Sequence, residues 1–251
     1  MTEIVFIGTS DALGAGGRRQ SAVLLRAPNG GVLLDCGMST NAGLADLQID
    51  RAEIDTVLIS HFHADHFGGL PLLLLASMYE DRRVKPLRIA GPPGVEERVQ
   101  TLAQAMGHPL GDRDGRPPRE WTFPIHYEEY LPGTEIEVGP ARIRSFDVHH
   151  QPDSKPHGLA LTLGSQRIAY TGDTGWFEGL TGAVAGSDLL ICECTFATDT
   201  FEYHLNYEEL LTRREQFDCG RMILTHLGAQ MTARRGKCEI ETADDGLRIS
   251  V

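Results

Sequence analysis

The sequence predicts an α+β fold, formed as a single domain over residues 1–251, and three features lead there. Short apolar runs rich in β-branched residues, each the length of a strand, recur along the whole chain. Helix-length stretches lie between them, as at 40–47, 93–106 and 206–216. Metal-ligating side chains are spread from His61 to His226, so one site needs both halves of the chain at once.

Composition narrows the function. Apolar and charged contents of 41% and 23% are those of a soluble globular protein, and 251 residues suffice to bury a large core. A formal net charge of −12 argues against a protein whose main task is holding nucleic acid, since that rests on clustered Lys and Arg. Bound divalent cations reverse the sign locally and still admit a small anionic substrate. Five cysteines without paired spacing argue against a disulfide framework and for a reduced, cytoplasmic setting. No basic leader precedes the first strand, and the longest apolar run, Leu70 to Met78, is too short to span a bilayer, so no membrane association is expected.

In chain order, residues 3–9 read as a first strand, followed by a loop containing Gly14, Gly16 and Gly17. This is not a phosphate loop, because it lacks the Gly-Lys-Ser/Thr ending. Arg18 and Arg19 at its end read as solvated loop charges, with reach to a substrate anion as the alternative. Strands at 21–27 and 32–36 are joined by the turn Pro28-Asn29-Gly30-Gly31. Asp35 closes the second of them, either bonding turn amides or orienting a ligand histidine. A helix at 40–47 leads to a buried strand, Thr56-Val57-Leu58-Ile59-Ser60.

That strand ends in His61-Phe62-His63-Ala64-Asp65-His66, the stretch that organises the chain. Alternate side chains of an extended segment share a face, so His61 and His63 can grip one cation together. Asp65 and His66, past the bend, address a second point nearby. Next comes 70–76, apolar on every side, which suggests a helix buried all round or covered in part by a second copy of the chain, hence a homodimer.

A strand at 87–90 and a helix at 93–106 precede a Gly- and Pro-rich segment, 107–120, expected as an exposed loop that could overhang a cleft. His108 and His126 lack partners at ligand spacing. Strands at 135–138 and 141–148 end in His149-His150, whose side chains alternation sends to opposite faces, so only one of the two can be a ligand. A hairpin at 159–163 and 167–170 leads to Asp173 at a strand end. A helix at 176–184, a strand at 189–192 holding the buried Cys192 beside Glu193 and Cys194, and a helix at 206–216 follow. The strand 222–224 delivers His226, and the last strand is at 247–250.

These motifs resemble the metallo-β-lactamase superfamily over nearly the whole chain. Phe6-Ile7-Gly8-Thr9-Ser10, Ser21 to Leu25 and Leu33 to Gly37 are similar to its first strands and D-x-G turn. Tyr170-Thr171-Gly172-Asp173-Thr174 is similar to the segment with the bridging aspartate, and Leu224-Thr225-His226 to the last ligand. The family's V-x-H-x-P pattern aligns with Val148, His150 and Pro152, which selects His150 over His149. The resemblance implies a four-layer αβ/βα sandwich, two facing mixed β-sheets with outer helices and a dinuclear metal site at one edge. His61, His63 and His150 then bind one cation, Asp65, His66 and His226 the other, and Asp173 bridges them. Such a donor set suits Zn(II) and also admits Mn(II) or Fe(II).

Glu193-Cys194-Thr195-Phe196 and His204-Leu205-Asn206 resemble the E-A-T and H-S-T segments of tRNase Z and of the related cyclic phosphodiesterase of carbon–phosphorus bond cleavage, with Cys194 and Leu205-Asn206 as departures. This implies that His204 contacts a phosphate and Glu193 orients it, with Asp65 also in the catalytic set. No segment resembles the Gly/Pro-rich arm with which tRNase Z grips tRNA. The expectation is a dinuclear hydrolase of a small or cyclic phosphodiester that uses a metal-bridging hydroxide. Hydrolysis of a lactone, thioester or β-lactam is the first alternative, and a non-hydrolytic metal-binding or redox protein the second.

Overall fold

The computed structural model describes residues 2–110 and 121–251. The first half of the chain runs β1 (Glu3–Gly8), β2 (Ala22–Ala27), β3 (Gly30–Leu34), α1 (Thr40–Asp46), β4 (Ile54–Leu58), α2 (Ala64–Phe67), α3 (Leu70–Tyr79), β5 (Leu87–Gly91), α4 (Val95–Ala105) and β6 (Ile125–Glu129). The second runs β7 (Glu135–Val138), β8 (Ala141–Asp147), β9 (His157–Leu163), β10 (Gln166–Tyr170), α5 (Leu180–Ala183), β11 (Ser187–Glu193), α6 (Tyr207–Thr212), β12 (Cys219–Thr225), α7 (Ala229–Ala233), β13 (Glu241–Thr242) and β14 (Arg248–Ser250).

The strands form two seven-stranded mixed sheets, ordered β14-β1-β2-β3-β4-β5-β6 and β13-β12-β11-β10-β9-β8-β7. In the first, pairing is antiparallel from β14 to β3 and parallel from β3 to β6. The second repeats this scheme, antiparallel from β7 to β10 and parallel from β10 to β13. Strand alternation builds the layers. On β1, Ile4 and Phe6 enter a core shared with Ile143, Leu161, Ile191 and Ile223 of the second sheet. Val5 and Ile7 face the other way, into a core with Leu44 of α1, Leu74 of α3 and Val99 of α4. On β11, Leu189 and Ile191 point inward while Leu190 and Cys192 pack with Leu180, Leu210 and Met231 of α5, α6 and α7. Helices therefore cover both outer faces, and the α+β sandwich expected from the resemblance is the observed architecture.

Several elements differ from expectation. The edge strand β6 has only a brief apolar alternation to announce it, Ile125 and Tyr127 packed on the core around the exposed His126, before it turns polar. The helix expected at 93–106 starts at Val95, because Gly94 takes a left-handed φ of 90° after Pro92-Pro93. The helix expected at 176–184 is reduced to α5, and the one at 206–216 breaks after Thr212 into a 3-10 turn at 214–216. Asn206 caps α6, accepting from the Glu209 amide at 2.9 Å. Arg18 fits neither reading given to it: its guanidinium is buried, donates to the Ala243 carbonyl at 2.7 Å and pairs with Asp244 at 2.8 Å. Arg19 donates to the Ile7 carbonyl at 2.7 Å and pairs with Asp46 at 3.2 Å, so both arginines tie the 11–19 loop down. Residues 111–120 of the loop expected at 107–120 lie outside the described residues.

Candidate metal centre

The site lies at the C-terminal edge of the parallel strands, where open α/β sheets gather ligands. His61 and His63 follow β4, His66 sits on α2, Asp173 follows β10, Glu193 ends β11 and His226 follows β12, while His150 follows β8. Close backbone contacts hold these ends together. The amide of Cys36 bonds the His66 carbonyl at 2.6 Å, and a Cβ on Gly37 would lie 2.3 Å from the Asp65 carbonyl, so only glycine allows this approach. Gly175 does the same on the other side, where its amide bonds the His149 carbonyl at 2.7 Å and a Cβ would meet the Glu202 carbonyl at 1.7 Å.

The structure brings all seven expected ligand residues together in two groups. His61, His63, His150 and Asp173 form one, and Asp65, His66, Asp173 and His226 the other, with ligand atoms within 4.8 Å of one another in each group. Asp173 belongs to both, as a bridging carboxylate should. His150 is buried in the first group and His149 is exposed, so the register that aligns Val148, His150 and Pro152 is the one adopted.

Hydrogen bonds outside the groups aim the rings inward. His61 Nδ1 lies 3.0 Å from Ser60 Oγ, which donates to Asp35. His66 Nδ1 donates to Asp35 Oδ2 at 2.7 Å, His150 Nδ1 to the Tyr203 carbonyl at 2.9 Å, and His226 Nδ1 lies 2.8 Å from Thr195 Oγ1. Each of these rings therefore turns an Nε2 lone pair toward the centre. Asp35 plays both roles considered for it, since Oδ1 accepts the Ser60 amide at 2.7 Å while Oδ2 holds His66 and the Tyr170 hydroxyl, each at 2.7 Å.

The donors suit divalent cations. His63 Nδ1 lies 3.1 Å from both His61 Nε2 and His150 Nε2, so three ring nitrogens converge on one point, two of them on rings whose other nitrogen is bonded outward. In the other group His66 Nε2 and Asp173 Oδ1 are buried without a hydrogen-bond partner, although they lie 3.2 Å apart. Burial is the largest influence on His61, His63 and His150 and holds them below the usual histidine range, in the neutral form a cation requires. For His226 burial works against the charge, but Asp173 and Asp65 outweigh it and hold the ring up at about 9. The same balance puts His66 well above its ordinary value and Asp65 and Asp173 below theirs. A ligand imidazole is neutral, so cation binding in this second group displaces protons.

Beside the centre, Glu193 Oε1 accepts from His204 Nδ1 at 2.8 Å, and the His204 ring stacks on His226 with centroids 5.4 Å apart and planes inclined by 11°. Burial again opposes a charge on His204, but the Glu193 carboxylate raises its pKa above the ordinary value. A cleft of about 430 Å³ opens here, bounded by Leu13, Phe196, Phe201 and Gln230 as well as His204 and His226. Leu13 and Phe201 stand 91% and 46% exposed at its mouth. These rim residues come from segments far apart in sequence, and nothing local marks them as neighbours. Thr195 and Tyr170 lay within the quoted motifs, but their contacts could not be read from spacing.

The fold is the metallo-β-lactamase fold, and the His and Asp groups at its edge are of the kind that hold metal ions in hydrolases. More narrowly, the chain belongs to the Anti-Pycsar protein Apyc1 family, whose sequence profile matches residues 2–242. It is 26% identical over 245 residues to Ribonuclease Z of Mycobacterium bovis, spanning 90% of this chain and 86% of that protein. Among solved structures it is similar to the metallo-β-lactamase-fold protein YhfI of Bacillus subtilis, with a TM-score of 0.77, 21% identity and full coverage of both chains. It is likewise similar to a diphosphatase of the PhnP family, with a TM-score of 0.78, 15% identity and coverage of 100% and 98%. Zinc-bound PqqB of Methylobacterium extorquens gives a TM-score of 0.72 at 16% identity, covering 99% and 100%. At these identities the solved structures speak for the fold.

Proposed function

We propose that the protein is a dinuclear hydrolase of a small phosphodiester, cyclic ones included. The observation that carries this reading is the Glu193–His204 pair, bonded at 2.8 Å and stacked on a residue of the metal groups. His61, His63 and His150 would hold one cation, Asp65, His66 and His226 the other, with Asp173 shared; zinc suits this nitrogen-rich set, and manganese or iron is admitted. When bound, two such cations supply a nucleophile from water near neutral pH and stabilise charge developing on the substrate oxygen.

The rest falls to side chains of the chain. With Nδ1 anchored on Glu193, His204 has Nε2 left to meet a phosphate oxygen or to protonate a departing alkoxide. Carbonyl esters have less need of this pair, because an acyl carbon presents no second anionic oxygen to clamp. The cleft beside His204, with Leu13, Phe196 and Phe201 at its walls, has room for the group carried by the phosphate. The names Ribonuclease Z and diphosphatase borne by similar proteins support phosphorus as the atom attacked. Small rather than polymeric substrates are supported by the charge of −12, and the same surface gives no reason for stable nucleic-acid binding. No helix among the described residues is long and apolar enough to cross a membrane, and the five cysteines are free, which supports a cytoplasmic setting.

The test is a panel of cyclic and linear phosphodiesters, lactones and thioesters given to zinc- or manganese-reconstituted protein. Turnover concentrated on the small phosphodiesters is expected. Efficient lactone or thioester hydrolysis with inert phosphodiesters would overturn the reading.

A further inference from the structure

We infer that Thr195 is a positioning residue that fixes His226 through Glu193, so that one buried carboxylate aims both the phosphate-facing and a metal-facing imidazole. The inference rests on the reading of His226 as a ligand of the second cation. Glu193 is fully buried, and its oxygens are saturated. Oε1 accepts the Thr174 amide at 3.1 Å and His204 Nδ1 at 2.8 Å, while Oε2 accepts the Thr195 amide at 3.0 Å and the Thr195 hydroxyl at 3.1 Å. The Thr195 hydroxyl has one proton, which this carboxylate takes, so toward His226 it can only accept.

Direction along the chain of bonds is thereby set. His226 Nδ1, 2.8 Å from Thr195 Oγ1, has to carry a proton, and Nε2, 3.2 Å from Asp65 Oδ2 and 3.3 Å from Asp173 Oδ2, is the nitrogen that gives up its proton to a cation. His204 Nδ1 is also within 3.2 Å of Thr195 Oγ1, but its bond to Glu193 is the shorter one. The parallel stack of His204 on His226 follows from both rings hanging on the same carboxylate, one directly and one through a hydroxyl. The backbone adds a constraint, because His226 takes a left-handed φ of 55°, a conformation a non-glycine residue holds only when its surroundings specify it. Partners of this kind tune ligand affinity, and losing one costs about 10- to 100-fold in metal binding.

The experiment withdraws zinc from the loaded protein with a graded chelator and counts the ions retained, in wild type, Thr195→Val and Thr195→Ser. Valine keeps the shape and loses the hydroxyl, so one ion should leave at about 10- to 100-fold lower chelator strength while the other is held as in wild type. Serine keeps the hydroxyl and should restore the wild-type profile. Nitrogen-15 spectra of the wild-type zinc protein should show a proton on His226 Nδ1. Retention of both ions by Thr195→Val as tightly as by wild type, or equal loss in Thr195→Ser, overturns the inference. So does a proton on Nε2 of His226, a result independent of whether either variant folds. A wild-type count below two ions fails the two-cation reading by itself, and the inference then stands or falls on whether Thr195→Val weakens the ion that remains.

Discussion

Asp35 and His226 both hold left-handed backbone, at φ of 57° and 55°, and both are at the centre. Such conformations cost of order 1–3 kcal/mol for a non-glycine residue, and here the hydrogen bonds around them specify the geometry. Asp35 sits at the turn after β3 so that one carboxylate reaches Ser60, His66 and, from the opposite sheet, Tyr170. At the same scale the role of His204 can be separated from that of the cations. A proton donor helps a high-pKa alkoxide leave by a factor of about 10² to 10⁴ and helps a nitrophenolate hardly at all. His204→Ala is expected to keep its metal and lose far more activity on an alkyl phosphodiester than on bis-nitrophenyl phosphate, with Glu193→Gln showing a weaker bias. Equal loss on both would make His204 a clamp, and unchanged turnover of every substrate would remove it from the reaction.

At the scale of elements, the site is made by strand ends. Parallel strands β3, β4, β10, β11 and β12 all finish at one edge, and Asp35, His61, Asp173, Glu193 and His226 lie at their ends or shortly past them. This is why the candidate site residues were legible in the sequence: H-x-H-x-D-H after an apolar run, and Asp173, Glu193 and His226 at the ends of others, are local patterns whose position in the fold follows from topology. The choice of His150 was legible through its match to a family pattern, and alternation alone left it open. What stayed hidden has no local signal. β6 is an edge strand with only two apolar residues, α7 is a short helix of five residues, and the cleft wall joins Leu13, Phe196 and Gln230 across the whole chain.

The apolar stretch at 70–76 was read as a helix buried all round or covered by a second copy, and α3 buries Leu70, Leu73 and Leu74. Leu72 on this helix remains 38% exposed and Met38, whose side chain approaches Gly68 just before α3, is 58% exposed, while Leu72 lines a groove with Ala42 and Ala45 of α1. Sedimentation of the protein is expected to show a homodimer that Leu72→Lys shifts toward monomer. A wild-type monomer at micromolar concentration would contradict this use of α3.

At the scale of the whole molecule, charge bears on the size of the proposed substrate. A net charge of −12 disfavours the approach of a long polyanion, and neutralising many phosphates takes clustered Lys and Arg. Precursor tRNA is therefore expected to be cleaved poorly compared with small phosphodiesters at moderate salt. Efficient, salt-sensitive trimming of a 3′ trailer would show that the similarity to Ribonuclease Z extends to its substrate.

Both sheets meet in one core, and each contributes candidate ligands to one centre, His61 and His66 from the first and Asp173 and His226 from the second. Asp173 shared between two groups is the feature on which a dinuclear mechanism depends. The most direct measurement is elemental analysis of protein saturated with zinc or manganese and freed of excess metal. About two ions per chain are expected from the two-metal template, falling in Asp173→Ala, which removes the shared carboxylate. One ion or none per chain in the saturated wild-type protein would contradict a dinuclear centre.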